Sequence, residues 1–180
     1  MEKEETMIPQ INKILYATDL SKNSSYAFFY AVDMARRNNA SIVMLHSIEP
    51  VHYKYFASED KLHRINVELE KEKKQEVETE LKEMKESLQR FCNRMETQIG
   101  PPCVGLVSKI LVPTGHPVEE ILKAADEEAC DAIVLGTYGK GFLKQTFLGS
   151  VAASVLERSR KPVFIVPLPS EKTSIDWDEI

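Results

Sequence analysis

Residues 136–150 read GTYGKGFLKQTFLGS, a spacing suited to holding an anion rather than to breaking a bond. The glycines at 136, 139 and 149 let a phosphate oxygen approach the backbone with no Cβ in the way. A helix opening at Gly149-Ser150-Val151 adds unpaired N–H groups and the positive end of its dipole. Ser150 can cap that helix or give its hydroxyl to a phosphate, and Lys140 and Lys144 supply positive charge. Any one of these glycines is better explained by a turn or a helix contact. Their joint spacing between an apolar run and a helix is what favours phosphate.

Other chemistry is sparse. Asp19 follows the apolar run 13–18 (KILYAT), where it can accept from a ligand hydroxyl or cap the next helix. The histidines at 46, 52, 63 and 116 share no metal-binding spacing; His46 reads as a hydrogen-bonded structural residue and His116 as a helix cap. Cys92, Cys103 and Cys130 are odd in number and widely spaced, so reduced thiols are expected rather than zinc or disulfides. Cys130 is expected to be buried and inert. A Walker A loop needs lysine after its second glycine, and Phe142 stands there. A dinucleotide-binding glycine turn belongs after the first strand, where the chain has Thr18-Asp19-Leu20. A phospho-receiver would need further acids after strand one and an Asp ending strand three, which instead runs into Val112-Pro113-Thr114. No G-x-S-x-G nucleophile elbow occurs.

The elements that must position these residues are legible from apolar periodicity. Residues 13–18, 41–46 (SIVMLH), 105–113 (GLVSKILVP), 131–135 (DAIVL) and 162–167 (PVFIVP) are short apolar runs. Runs of this kind fit strands covered on both faces. Helical patterns lie between them. The first spans about 23–37, with Ala27, Tyr30, Ala31, Met34 and Ala35 inward. The second, about 60–98, is highly charged, yet Val77, Leu81, Met84, Leu88, Phe91 and Met95 recur at alternating steps of 4 and 3. That stripe puts one face on a core and leaves the rest wet. A thinner set at Leu62, Ile65 and Leu69 suggests that the front part projects or kinks. A third helix, 116–128, carries Pro117 in its first turn and Val118, Ile121, Leu122 and Ala125 inward. The fourth, 150–159, turns Val151, Val155 and Leu156 inward. Strands alternating with helices make an α/β fold: an open five-stranded parallel sheet with helices on both faces. Ligands of such sheets sit beyond the carboxyl ends of the strands, where Ala17-Thr18-Asp19, His46-Ser47 and the loop from Gly136 would converge.

Bulk properties set the limits. The 180 residues suit about one domain. A net charge of −5 argues against a general nucleic-acid surface. The opening MEKEETMIPQ lacks the apolar run of a signal peptide, and no stretch approaches the roughly 18 apolar residues of a membrane span. A soluble, cytoplasmic protein is expected, with an extension at 1–10, one domain at 11–168 and a polar acidic tail at 169–180.

The glycine loop matches the pattern G-x2-G-x9-G-[S/T] and resembles that of the universal stress protein family. KILYATDLS, IVMLHSIEP, GHPVEEILKAADEEACDAIVLGTYG and GSVAASVLERSRKPVFIVP extend the resemblance in register from about residue 11 to 168. The resemblance implies strand order 3-2-1-4-5 in a Rossmann-like fold and a homodimer through the fifth strand, at Val163–Val166. It also implies the family's ATP-binding branch. Asp19 would then contact the ribose, and Ala17, Thr18 and Ser47 would border the adenine, with Leu135 and Gly136 alongside. Gly139, Lys140, Gly149, Ser150 and Val151 would meet the phosphates, which Mg²⁺ or Mn²⁺ could bridge without a dedicated protein ligand. Two positions depart from the pattern. The family often has a small apolar residue at Ser47 and an arginine near Gln145, and both changes point to weaker binding.

Phosphoryl transfer needs a positioned water, carboxylate-held metal and charge stabilisation. Asp19 is the one carboxylate expected at the ligand end, with no general base beside it. The leading expectation is an ATP-, ADP- or AMP-binding regulatory dimer that biases an unidentified protein partner. The alternatives are a weak ATPase and an interaction module with a vestigial cleft.

Overall fold

The computed structural model describes residues 8–49, 59–99, 104–137 and 148–167. The apolar runs become five strands: β1 (Lys13–Ala17), β2 (Ser41–Leu45), β3 (Val107–Leu111), β4 (Ala132–Gly136) and β5 (Val163–Val166). They pair in parallel in the order β3-β2-β1-β4-β5. The helices are α1 (Lys22–Asn38), α2 (Glu59–Ile99), α3 (Pro117–Glu127) and α4 (Ser150–Arg158). Right-handed crossovers dictate the layers. From β1 to β2 to β3 the chain steps one way, so α1 and α2 share a face. From β3 it passes back beyond β1 to β4 and β5, which puts α3 and α4 on the other.

Each central strand divides its side chains between these layers. Ile14 and Tyr16 of β1, with Ile42 and Met44 of β2, pack toward Phe28 and Val32 of α1 and Met84 and Leu88 of α2. Leu15, Ala17, Val43 and Leu45 pack toward Val118, Ile121 and Ala125 of α3 and Ala152 and Val155 of α4. Burying a side chain such as Phe28 contributes roughly 1.5–3 kcal/mol, and its ring also meets Tyr16 at a centroid distance of 4.8 Å. The amino ends of β1 and β4 are pinned by Asp131, whose Oδ2 accepts from the N–H groups of Asn12 (2.7 Å) and Lys13 (2.9 Å).

Several expectations are corrected. Tyr30 does not point inward; it is 46% exposed and stands edge-on to Tyr26 at 5.3 Å. The buried face of α1 is Ala27, Phe28, Ala31, Val32 and Ala35, and Tyr30 falls off that stripe by helical rotation. Leu156 is 51% exposed, because the short α4 buries Ala152 and Val155 instead. Residues 104–106 form a 3₁₀ turn before β3, and the β2–β3 register shifts between Ile42 and Val43. Beyond a half-buried Val77 and Leu81, the α2 stripe is buried at Met84 and Leu88. The side chains of Leu62, His63, Ile65, Leu69, Phe91, Cys92 and Met95 lie outside the described residues, as do residues 50–58 with His52, Cys103 and residues 168–180. Cys130 is fully buried, and burial pushes its thiol up to about 11.

Candidate functional site

The carboxyl ends of β1, β2 and β4 meet where the strand order reverses, between β1 and β4. Thr18 continues past β1 by donating its N–H to the Leu45 carbonyl (2.9 Å). Its hydroxyl donates to Ser24 Oγ (2.8 Å) and accepts from the Leu20 N–H (3.0 Å). Ser24 gives its own proton to the Ser21 carbonyl (2.7 Å), and the Tyr16 phenol donates to the Ser24 carbonyl (2.6 Å). Burial holds that phenol well above its ordinary pKa, so it remains a donor. These bonds lock the first turn of α1 onto the end of β1.

Asp19 is not the cap of α1. Ser21 occupies the N-cap and accepts from the Ser24 N–H. Asp19 Oδ1 accepts from the Ser21 N–H (3.1 Å) and hydroxyl (2.6 Å), an Asx turn that orients the carboxylate. Its other oxygen, Oδ2, is shielded from solvent and has no hydrogen-bond partner among the described residues. Leu20 beside it sits at φ 62, a left-handed conformation costly for a side chain with a Cβ. Backbone strain of this kind clusters at functional sites.

At the end of β2, the His46 N–H donates to the Leu111 carbonyl (3.0 Å), and its Nδ1 lies 2.9 Å from the Thr18 carbonyl oxygen. The Ser47 hydroxyl donates to the Gly115 carbonyl (2.8 Å). Ile48 then donates its N–H to the Pro113 carbonyl (2.9 Å) and accepts from the Gly115 N–H (2.9 Å), a parallel bridge opposite Thr114. Ser47 is therefore tied to the segment after β3. A Cβ at Gly115 would meet the Glu120 side chain, which would have to swing aside.

At the end of β4, Thr137 is buried, and its N–H (3.0 Å) and hydroxyl (2.8 Å) both bond the Val166 carbonyl. Its own carbonyl accepts from the Gly149 N–H (2.7 Å). The glycine loop is thus closed at its base, with β4 and the start of α4 drawn together. Gly149 is the N-cap of α4 and Ser150 its exposed first residue, so Ser150 does not cap the helix, and the N-cap itself supplies no side-chain bond. Gly149 has φ −68 and ψ 156, open to any residue, so conformation alone does not require glycine there. His116 stands at the N-cap of α3 but makes no side-chain cap bond.

Ala17, Thr18, Asp19, Ser47, Leu135, Gly136, Gly149, Ser150 and Val151 therefore share one end of the sheet. Gly139, Lys140, Lys144 and Gln145 lie outside the described residues. Sequence reasoning missed Thr137 as the tie that closes the loop, and missed the contact from His46 to Thr18. Among the described residues no group of three His, Cys, Asp or Glu side chains could hold a metal ion. No described helix is long and apolar enough to cross a membrane.

Residues 10–167 match the model of the universal stress protein family. The universal stress protein MJ0577 of Methanocaldococcus jannaschii is 31% identical over 160 residues, 86% of this chain and 93% of that one. Its solved structure superposes with a TM-score of 0.68, covering 91% of this chain and all of the other at 28% identity. UspA from Lactobacillus plantarum, at 19% identity, covers 88% of this chain and 99% of its own with a TM-score of 0.67, a likeness of fold. The chain belongs to the universal stress protein family.

Proposed function

We propose that this protein binds an adenine nucleotide, ATP foremost, and acts as a regulatory dimer rather than through rapid turnover. The observation that carries the reading is the Asp19 carboxylate. One oxygen is fixed by Ser21, while the other is shielded and unbonded. An acceptor left in that state destabilises the fold unless a donor arrives, and a ribose hydroxyl is such a donor. On the neighbouring strand end, the first turn of α4 lacks a side-chain cap, which suits phosphate. The two features match the polar and anionic parts of one nucleotide. In this reading Mg²⁺ or Mn²⁺ is held by the phosphates.

Calorimetry with ATP and Mg²⁺ tests this. Asp19→Asn preserves the turn through its amide oxygen but removes the charged acceptor. It is expected to weaken ATP by about 10- to 100-fold, the range for a hydrogen bond to a charged group, with little change in Tm. Equal affinity in the variant would overturn the ribose role. No binding or thermal shift in the unaltered protein at millimolar ATP would overturn the whole reading in favour of an interaction module. Steady phosphate release abolished by Gly149→Val would favour the ATPase instead.

A further inference from the structure

We propose that His46 is a positioning residue for this site and that it ties the Asp19 turn to helix α2. The proposal rests on the nucleotide-binding reading of Asp19. Thr18 presents a carbonyl to the ring, and a carbonyl can only accept. His46 Nδ1, 2.9 Å away, must therefore carry the proton and donate it. This bond holds the peptide between Thr18 and Asp19, immediately before the strained Leu20, and so fixes where the unbonded Asp19 Oδ2 lies.

The opposite ring nitrogen faces α2. His46 Nε2 is 3.8 Å from Glu80 Oε2, with side chains 12% and 29% exposed. Among the described residues, Glu80 Oε2 is, with Asp19 Oδ2, a shielded oxygen without a hydrogen-bond partner. It is carried on the wet-looking run of α2, where exposed acids abound, yet among the described acids of that helix it alone is turned under toward the strand ends, one turn before buried Met84. The backbone N–H of His46 is taken by Leu111, which fixes the ring's origin in the sheet. One imidazole is therefore hydrogen-bonded to the turn that presents Asp19 and stands 3.8 Å from a carboxylate of the helix that covers β2 and β3, a contact too long for a hydrogen bond. Movement of the Thr18–Asp19 peptide reaches α2 through a rigid ring, and a shift of α2 reaches Asp19 by the same path.

Two replacements separate the ring's nitrogens. In His46→Asn the amide N–H stands near the Nδ1 position and can still donate to Thr18. In His46→Gln the amide reaches toward the Nε2 position and leaves the Thr18 carbonyl without its donor. Calorimetry is expected to show ATP with Mg²⁺ weakened about tenfold in His46→Gln, the size of one lost hydrogen bond, and within about threefold of the original in His46→Asn. A ring serving only as packing would make the two variants alike, and that result overturns the proposal. Nitrogen-15 shifts of the ring in the ligand-free protein are expected to show a proton on Nδ1. A ring protonated at Nε2 alone would overturn the proposal without any reference to ATP. Hydrogen exchange of α2 amides around Glu80 is expected to slow on ATP addition in the unaltered protein and to respond less in Glu80→Ala. An identical response in both would remove α2 from the link. If the unaltered protein ignores ATP while the ring carries its proton on Nδ1, the nucleotide reading fails and the His46–Thr18 clamp stands.

Discussion

At the scale of single residues, each side chain at the strand ends is defined by which of its hydrogen-bonding atoms is already spent. Ser47 has given its proton to Gly115, Ser24 has given its proton to Ser21, and Thr137 has spent both donors on Val166. Asp19 retains an acceptor. Away from the site, Cys130 shows the same accounting in an apolar setting. Burial raises its thiol from 9.0 to about 11, so the folded state holds a proton that the unfolded chain releases. Its contribution to stability is full below pH 9 and declines as pH rises toward 11. Alkylation at pH 8 is expected to label Cys130 only as fast as the protein opens, read by mass spectrometry with and without denaturant. That Asp19 stands at the carboxyl end of β1 was legible from its place after an apolar run. Which oxygen is open was not, because that depends on the Ser21 cap. The His46 contact was not legible either, since it joins residues brought together only by strand pairing.

At the scale of elements, the alternation of apolar runs and helices was sufficient to place all five strands within a few residues at each end. Tyr30 was misplaced within the 17-residue α1, and the other errors fall where an element is short or at an edge. Leu156 lies in a nine-residue helix with only two buried positions, and β3 is an edge strand whose Ser108 and Lys109 are exposed. Helix ends obey backbone rules that periodicity does not show. Past the end of α3, Ala129 takes φ 52 while exposed, and its N–H bonds the Asp126 carbonyl (3.0 Å). A Cβ in that conformation costs roughly 1–2 kcal/mol, against the larger chain entropy that glycine loses on folding. Ala129→Gly is therefore expected to stabilise the protein by about 0.5–1 kcal/mol, measured by urea unfolding, with ATP affinity unchanged. A lower midpoint would show that the strain is relieved in some other way.

At the scale of the whole molecule, β3 and β5 are the edge strands of the described sheet, and β5 carries a 42% exposed Phe164. An unpaired edge with an exposed aromatic invites a second copy, in keeping with the dimer proposed above. Phe164→Glu is expected to convert the dimer to a 20.5 kDa monomer in sedimentation at micromolar concentration, without loss of helical signal. A monomer before substitution would end the idea. The other large-scale feature is the length of α2, 41 residues, anchored near Met84 and Leu88. A helix rises 1.5 Å per residue, so Glu59 lies roughly 38 Å along the axis from Met84. Swinging such a rod by about 6° about Met84 carries Glu80 by roughly 0.6 Å and Glu59 by roughly 4 Å. A displacement at the strand ends smaller than a bond length becomes, at the tip, a step about one residue wide. Moving as one rod, α2 would act as a lever whose short arm, at Glu80, lies beside His46.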